Sequence, residues 1–84
     1  MASILVVDDE PAIRMMLSDF LENSYEVVTA ENGNAALALL AGRLVDLVIS
    51  DINMPGINGI ELLRTIREHH PGTTCALITA YNID

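Results

Sequence analysis

The sequence predicts an α/β domain built on a parallel sheet, and three observations carry that reading. Short apolar runs rich in Val and Ile alternate with longer segments whose apolar residues recur at helical spacing. Glycine, proline and asparagine fall between the runs, where turns are needed. Two of the runs end in carboxylates, an arrangement suited to a ligand site at the carboxyl edge of such a sheet.

The elements follow in order. Ser3–Val7 is a continuous apolar run suited to a strand buried on both faces. Pro11–Glu22 reads as a helix, with Pro11 in the first turn and Ile13, Met16, Leu17, Phe20 and Leu21 on one face. Asn23-Ser24 breaks it, and Glu26–Ala30 is the second strand. Asn32 is placed to cap a helix from Gly33 to Ala41, which Gly42 ends. Asp46–Ser50 is the third strand. A structured loop over Pro55-Gly56 and Asn58-Gly59 leads to a helix at Ile60–His69. Pro71-Gly72 turns the chain into a fourth strand, Thr74–Ile78. Strand alternating with helix means parallel pairing through right-handed crossovers. Nothing divides the chain, so residues 1–84 read as one domain.

Composition narrows the function. Hydrophobic residues make up 51% of the 84, enough for a packed core. Four basic against twelve acidic residues give a net charge of −8, which repels a nucleic-acid backbone and offers no basic patch to a membrane surface. The longest apolar runs are too short to span a bilayer. No signal peptide is visible, and Cys75 alone forms no internal disulfide, so a cytoplasmic setting is expected. All four basic residues are arginine (Arg14, Arg43, Arg64 and Arg67), and lysine is absent.

The acidic residues cluster by position. The first strand runs into Asp8-Asp9-Glu10, and the third into Asp51. Neighbouring parallel strands lie roughly 4.8 Å apart, so their ends would crowd three carboxylates at one point. Like charges that close raise one another's pKa unless a cation neutralises them, and an all-oxygen cluster suits Mg²⁺ or Ca²⁺.

Three stretches carry a family resemblance: Ile4-Leu5-Val6-Val7-Asp8-Asp9-Glu10-Pro11, Asp46-Leu47-Val48-Ile49-Ser50-Asp51-Ile52-Asn53-Met54-Pro55-Gly56-Ile57-Asn58-Gly59, and Leu77-Ile78-Thr79-Ala80-Tyr81. Together they resemble the receiver domain of two-component response regulators. The resemblance implies a flavodoxin-like, doubly wound parallel sheet in which the strands present here run 2-1-3-4. It implies that Asp51 takes a phosphoryl group from a histidine kinase or phosphotransfer protein, with Mg²⁺ as cofactor, and that the domain switches conformation. Asp9 would be the direct metal ligand, Asp8 would bind through water, and Asp51 and the backbone carbonyl of Asn53 would complete the protein's share. Thr79 would hydrogen-bond the phosphoryl group, Ala80 would leave room for it, and Asn53 and Tyr81 would tune its loss. Such a domain phosphorylates and dephosphorylates itself and is not a conventional turnover enzyme.

The family also uses a fifth strand, a fifth helix and a lysine after that strand, for which this sequence has no counterpart. One expectation is therefore an incomplete receiver, with an open fourth-strand edge through which copies associate and with part of the apolar surface of Ile4–Val7 and Leu47–Ile49 uncovered. The competing function is a receiver-like protein-interaction module that is not phosphorylated because the lysine and fifth strand are missing. A phosphatase of the haloacid-dehalogenase type would want a second acid where Asn53 stands, and no G-x-G-x-x-G loop supports a dinucleotide site.

Plainer roles stand beside these. Asp8, Asp9 and Glu10 also suit a helix N-terminus, and Thr79 suits a strand-end hydroxyl. His69 and His70 suit a helix C-terminus, Cys75 a small buried hydrophobe, Met15 and Met16 core and rim, and Arg64 and Arg67 a solvated face.

Overall fold

The computed structural model describes residues 1–78, so the readings of Thr79, Ala80 and Tyr81 lie outside the described residues. The element order is β1 (Ser3–Val7), α1 (Pro11–Leu21), β2 (Glu26–Ala30), α2 (Gly33–Gly42), β3 (Leu47–Asp51), α3 (Gly59–His69) and β4 (Thr74–Ile78). All strand pairs are parallel, and the sheet order is β2-β1-β3-β4. This is the 2-1-3-4 arrangement that the resemblance implied. The order reverses between β1 and β3, and there the carboxyl ends open a crevice.

Local chemistry explains the helix starts. Pro11 occupies the first turn of α1, where its missing N–H goes unused. Asn32 caps α2 as expected, its side chain accepting from the Ala35 N–H at 2.7 Å. At α3 the Asn58 side chain accepts from the Glu61 N–H at 2.9 Å, while the Glu61 carboxylate accepts from the Asn58 N–H at 3.4 Å. This reciprocal capping box starts the helix at Gly59, one residue earlier than the sequence predicts.

The core lies between the sheet and α2 with α3. Leu5, Val7, Ala30 and Val48 from the strands meet Ala36, Leu40, Leu62 and Ile66 from the helices. Cys75 is half-buried against this core, partly as expected of a small apolar residue. The other face carries α1, which packs on β1 and β2. Sequence periodicity misjudges this helix. Ile13, Leu17 and Leu21 are half-buried, whereas Met15, Met16 and Phe20 are 66%, 57% and 80% exposed. The helix packs on β1 and β2, and the stripe residues outside that contact stay exposed. Loss of cover does not reach β1, where Ile4 to Val7 are at most 4% exposed, but Leu47 and Ile49 of β3 are only half-buried.

The third strand begins and ends one residue later than its sequence pattern suggests. Asp46 precedes it and fastens the start of β1: its carboxylate accepts from the Ser3 N–H at 2.7 Å, and its own N–H donates to the Ser3 carbonyl at 3.0 Å. Asp51 thus becomes the last residue of β3, level with Ile78 of β4. Arg64 and Arg67 are exposed, as a solvated face requires. Among the described residues no helix is long and apolar enough to cross a membrane.

Candidate functional site

Register builds the site. Val7 pairs with Ser50, so the next residue of each strand, Asp8 and Asp51, emerges at the same level of the sheet. Asp8, Asp9 and Asp51 each place one carboxylate oxygen within 4.8 Å of the others. The crowding expected from the two acid-ended strands is therefore present.

The three side chains sit differently. Asp8 is buried and held on several sides. Its N–H donates to the Ala30 carbonyl at 3.1 Å, and its Oδ1 accepts from the Glu10 N–H at 2.9 Å. Its carbonyl accepts from Arg14 Nη1 at 2.7 Å. Asp9 is exposed. Asp51 is half-buried at the end of β3, and its Oδ1 accepts from the Asn53 N–H at 3.3 Å. Burial pushes the Asp8 carboxyl above its ordinary value of 3.8, the charges of Asp51 and Asp9 push the same way, and the Glu10 N–H opposes them.

The loop after β3 is anchored against the core. Met54 is buried, and Ile57 packs on the core cluster. Gly56 takes a φ of 77°, a conformation that favours glycine. The Gly59 N–H then donates to the Ile52 carbonyl at 2.8 Å, bringing the start of α3 against the end of β3. A cleft on one side of the carboxylates is lined by Asp9, Asn32, Gly33, Pro55 and Ile57. A second, on the α1 side, is lined by Asp8, Ile13, Leu17, Asp51 and Ile78.

The charge balance fits a hard cation. Among the described residues Arg43 pairs with Glu26 and His69 lies against Glu68, both at 3.9 Å, and neither contact involves the cluster. Three oxygen donors that enter no ion pair among the described residues, one exposed and one half-exposed, suit Mg²⁺ or Ca²⁺.

Of the residues singled out from sequence, Asp8, Asp9 and Asp51 are brought together, and Asn53 adjoins them through its backbone N–H. Thr79 lies outside the described residues. Sequence reasoning missed Arg14, Gly59 and the Asn58–Glu61 pair. An Asn followed three residues later by Glu is a readable capping signature. Arg14 and Gly59 carry no comparable signal.

Comparison with known proteins agrees with this arrangement. The response regulator FleR of Pseudomonas aeruginosa is 44% identical over 81 residues, covering 95% of this chain and 17% of its own length. The DNA-binding transcriptional regulator NtrC of Salmonella typhimurium is 40% identical over 80 residues, covering 94% of this chain and 17% of its own. The chain thus spans about a sixth of the length of these curated relatives. Among solved structures, the response regulator TrrA of Thermotoga maritima in complex with Mg²⁺-BeF superposes with a TM-score of 0.91 at 49% identity, over 98% of this chain and 72% of that one. The same protein in complex with the histidine kinase ThkA gives a TM-score of 0.89 over 99% of this chain and 72% of that one. The family profile described as response regulator receiver domain matches residues 4–84. With a sheet in receiver order and three acidic residues gathered at its switch point, the chain belongs to the response regulator receiver domain family.

Proposed function

We propose that Asp51 is the phosphoacceptor of this receiver, taking a phosphoryl group from a histidine kinase or phosphotransfer protein. The observation that carries this reading is the half-exposed Asp51 carboxylate within 4.8 Å of two further carboxylates, with none of the three in an ion pair among the described residues. TrrA, solved with Mg²⁺-BeF and with a kinase, supports the same chemistry here.

In the proposed reaction one Asp51 oxygen attacks the phosphorus. The phosphorus–nitrogen bond of the donor histidine breaks, and its electron pair returns to the imidazole. The Asn53 N–H, 3.3 Å from Asp51 Oδ1, fixes the carboxylate's orientation before attack. Asp8, Asp9, Asp51 and the Asn53 backbone carbonyl are the groups that would hold Mg²⁺. When bound, the ion would neutralise charge that the carboxylates concentrate there. The remaining work is positioning and electrostatics. Thr79, next in sequence after β4, is proposed to donate its hydroxyl to the phosphoryl group. The intact Asp8, Asp9 and Asp51 set weighs against an unphosphorylated interaction module.

Incubation with acetyl phosphate and Mg²⁺, followed by intact-mass analysis, tests the reading. One phosphoryl adduct is expected on the wild type and none on Asp51→Asn. An adduct at wild-type yield on Asp51→Asn overturns the assignment. Association of two copies along the edge of β4, one of the two outer strands of the described sheet, is a separate proposal. Sedimentation at low micromolar concentration tests it, and a monomer rules it out.

A further inference from the structure

We infer that Arg14 is a positioning residue for the cation site, acting on Asp9 through the peptide that joins it to Asp8. The inference rests on the proposed role of Asp8, Asp9 and Asp51 as metal ligands. Arg14 lies in the first turns of α1, and its Nη1 donates to the Asp8 carbonyl at 2.7 Å in a half-buried setting. That carbonyl shares a rigid plane with the Asp9 N–H. Fixing its oxygen therefore fixes the direction in which Asp9 leaves the strand. The Asp8 N–H and Oδ1 are already tied to Ala30 and Glu10, so the Arg14 bond closes the frame around the β1–α1 turn. Asp9 itself is exposed and depends on that frame for its placement.

The choice of acceptor matters. A guanidinium within reach of a carboxylate ordinarily forms a forked pair with it. Arg14 takes part in no ion pair among the described residues and takes the backbone oxygen instead. The carboxylate oxygens stay available to a cation while the turn that carries them is held. Residues that orient metal ligands from behind typically set affinity by about 10–100-fold.

Two effects of Arg14 on Mg²⁺ binding have opposite signs, which makes the inference decidable. Its charge repels a cation, and its hydrogen bond orients a ligand. Removing a charge alone would tighten binding, removing a merely structural contact would lower the melting temperature without changing affinity, and removing an orienting bond would weaken binding. The experiment is a Mg²⁺ titration of the 84-residue chain, followed by amide resonances of Asp9 and Asn53, with a metal-free thermal melt for each protein. Arg14→Met should bind Mg²⁺ about tenfold more weakly than the wild type while still folded. Arg14→Lys, which keeps the charge but replaces the planar fork with a single ammonium, should fall between them. Unchanged or tighter binding by folded Arg14→Met overturns the inference. Should Arg14→Met not fold, Arg14→Lys decides, and wild-type affinity there overturns it. Asp9→Ala separates this inference from the reading beneath it. Loss of binding in Asp9→Ala together with retention in Arg14→Met removes the role of Arg14 alone. A wild type that fails to bind Mg²⁺, or an Asp9→Ala protein that binds normally, removes the site and the inference together.

Discussion

Gly59 lies so close to Asp51 that a β-carbon at position 59 would run into the Asp51 carbonyl oxygen and crowd the Ile52 α-carbon. The first residue of α3 thus rests directly on the last residue of β3, and the contact brings the two ends of the Ile52–Asn58 loop together. Helix propensity and sterics then predict opposite signs for Gly59→Ala. Alanine in a helix is worth about 1 kcal/mol over glycine. Overpacking against backbone that cannot yield costs typically about 1–3 kcal/mol. Sterics should win, and urea unfolding should show Gly59→Ala less stable than the wild type by up to about 2 kcal/mol. Gly42 is the control, since a β-carbon there would meet nothing within 4 Å and its φ is not positive. Gly42→Ala should be neutral or stabilising by up to about 1 kcal/mol. A Gly59→Ala protein as stable as Gly42→Ala would refute the steric account.

Much of this is readable in the chain, for reasons that particular residues make clear. Asp8 and Asp51 can be paired because each ends an apolar run, and parallel strands that start level also end level. The bounds of β1, β2 and β4 follow from runs of Val, Ile and Thr between clear turn signals. Asp46 misleads because a carboxylate beside an apolar run looks the same whether it belongs to the strand or ties down its neighbour, as it does with Ser3. Met16 and Phe20 mislead because a helical wheel reports which residues share a face, not how much of that face a neighbouring element covers. The capping box at Asn58 is legible, since its Glu61 partner stands at the right spacing. The bond from Arg14 to the Asp8 carbonyl is not, since an arginine one turn into a helix reads alike whether it faces water or folds back on the backbone.

Phe20 provides the test for α1. A large apolar residue that is 80% exposed contributes little to folding, so Phe20→Ser should change the stability of the 84-residue chain by less than about 0.5 kcal/mol. Leu17→Ala, on the half-buried side of the same helix, should cost more, roughly 1–2 kcal/mol. Matched chemical denaturation of the two variants checks the ordering. A larger loss for Phe20→Ser would place the buried stripe where the periodicity puts it.

The capping box at α3 makes a sharper claim on energy. Asn58→Ala removes the acceptor for the Glu61 N–H, and the cost should be about 1 kcal/mol. The return contact from Glu61 to the Asn58 N–H is longer, at 3.4 Å, so Glu61→Ala should cost less. If Glu61→Ala proved the more destabilising of the two, the carboxylate's favourable position at the helix N-terminus, and not the cap, would be the larger effect.

Asp8 links the site to pH. Burial first, then the charges of Asp51 and Asp9, raise its carboxyl above 3.8, so the folded chain holds that proton more readily than the unfolded one. The sign follows from linkage. The stabilising contribution is whole below the ordinary value, and it is lost as pH rises through the raised value of the folded state. At neutral pH, without metal, the ionised Asp8 therefore costs stability. Asp8→Asn removes the charge and keeps an oxygen for the Glu10 N–H, now 2.9 Å from Oδ1. The metal-free variant should melt above the wild type at pH 7, and the difference should shrink on acidification toward 3.8. Mg²⁺ should reverse the order. Metal at 100 times its dissociation constant stabilises a folded binder by about 2.7 kcal/mol, a gain that the variant, short of one carboxylate, should largely forgo. Thermal melts of both proteins across pH, with and without Mg²⁺, check both halves. Equal metal-free melting at pH 7 would show that Asp8 carries its charge at no cost, and equal Mg²⁺ stabilisation would show that its carboxylate has no part in holding the ion.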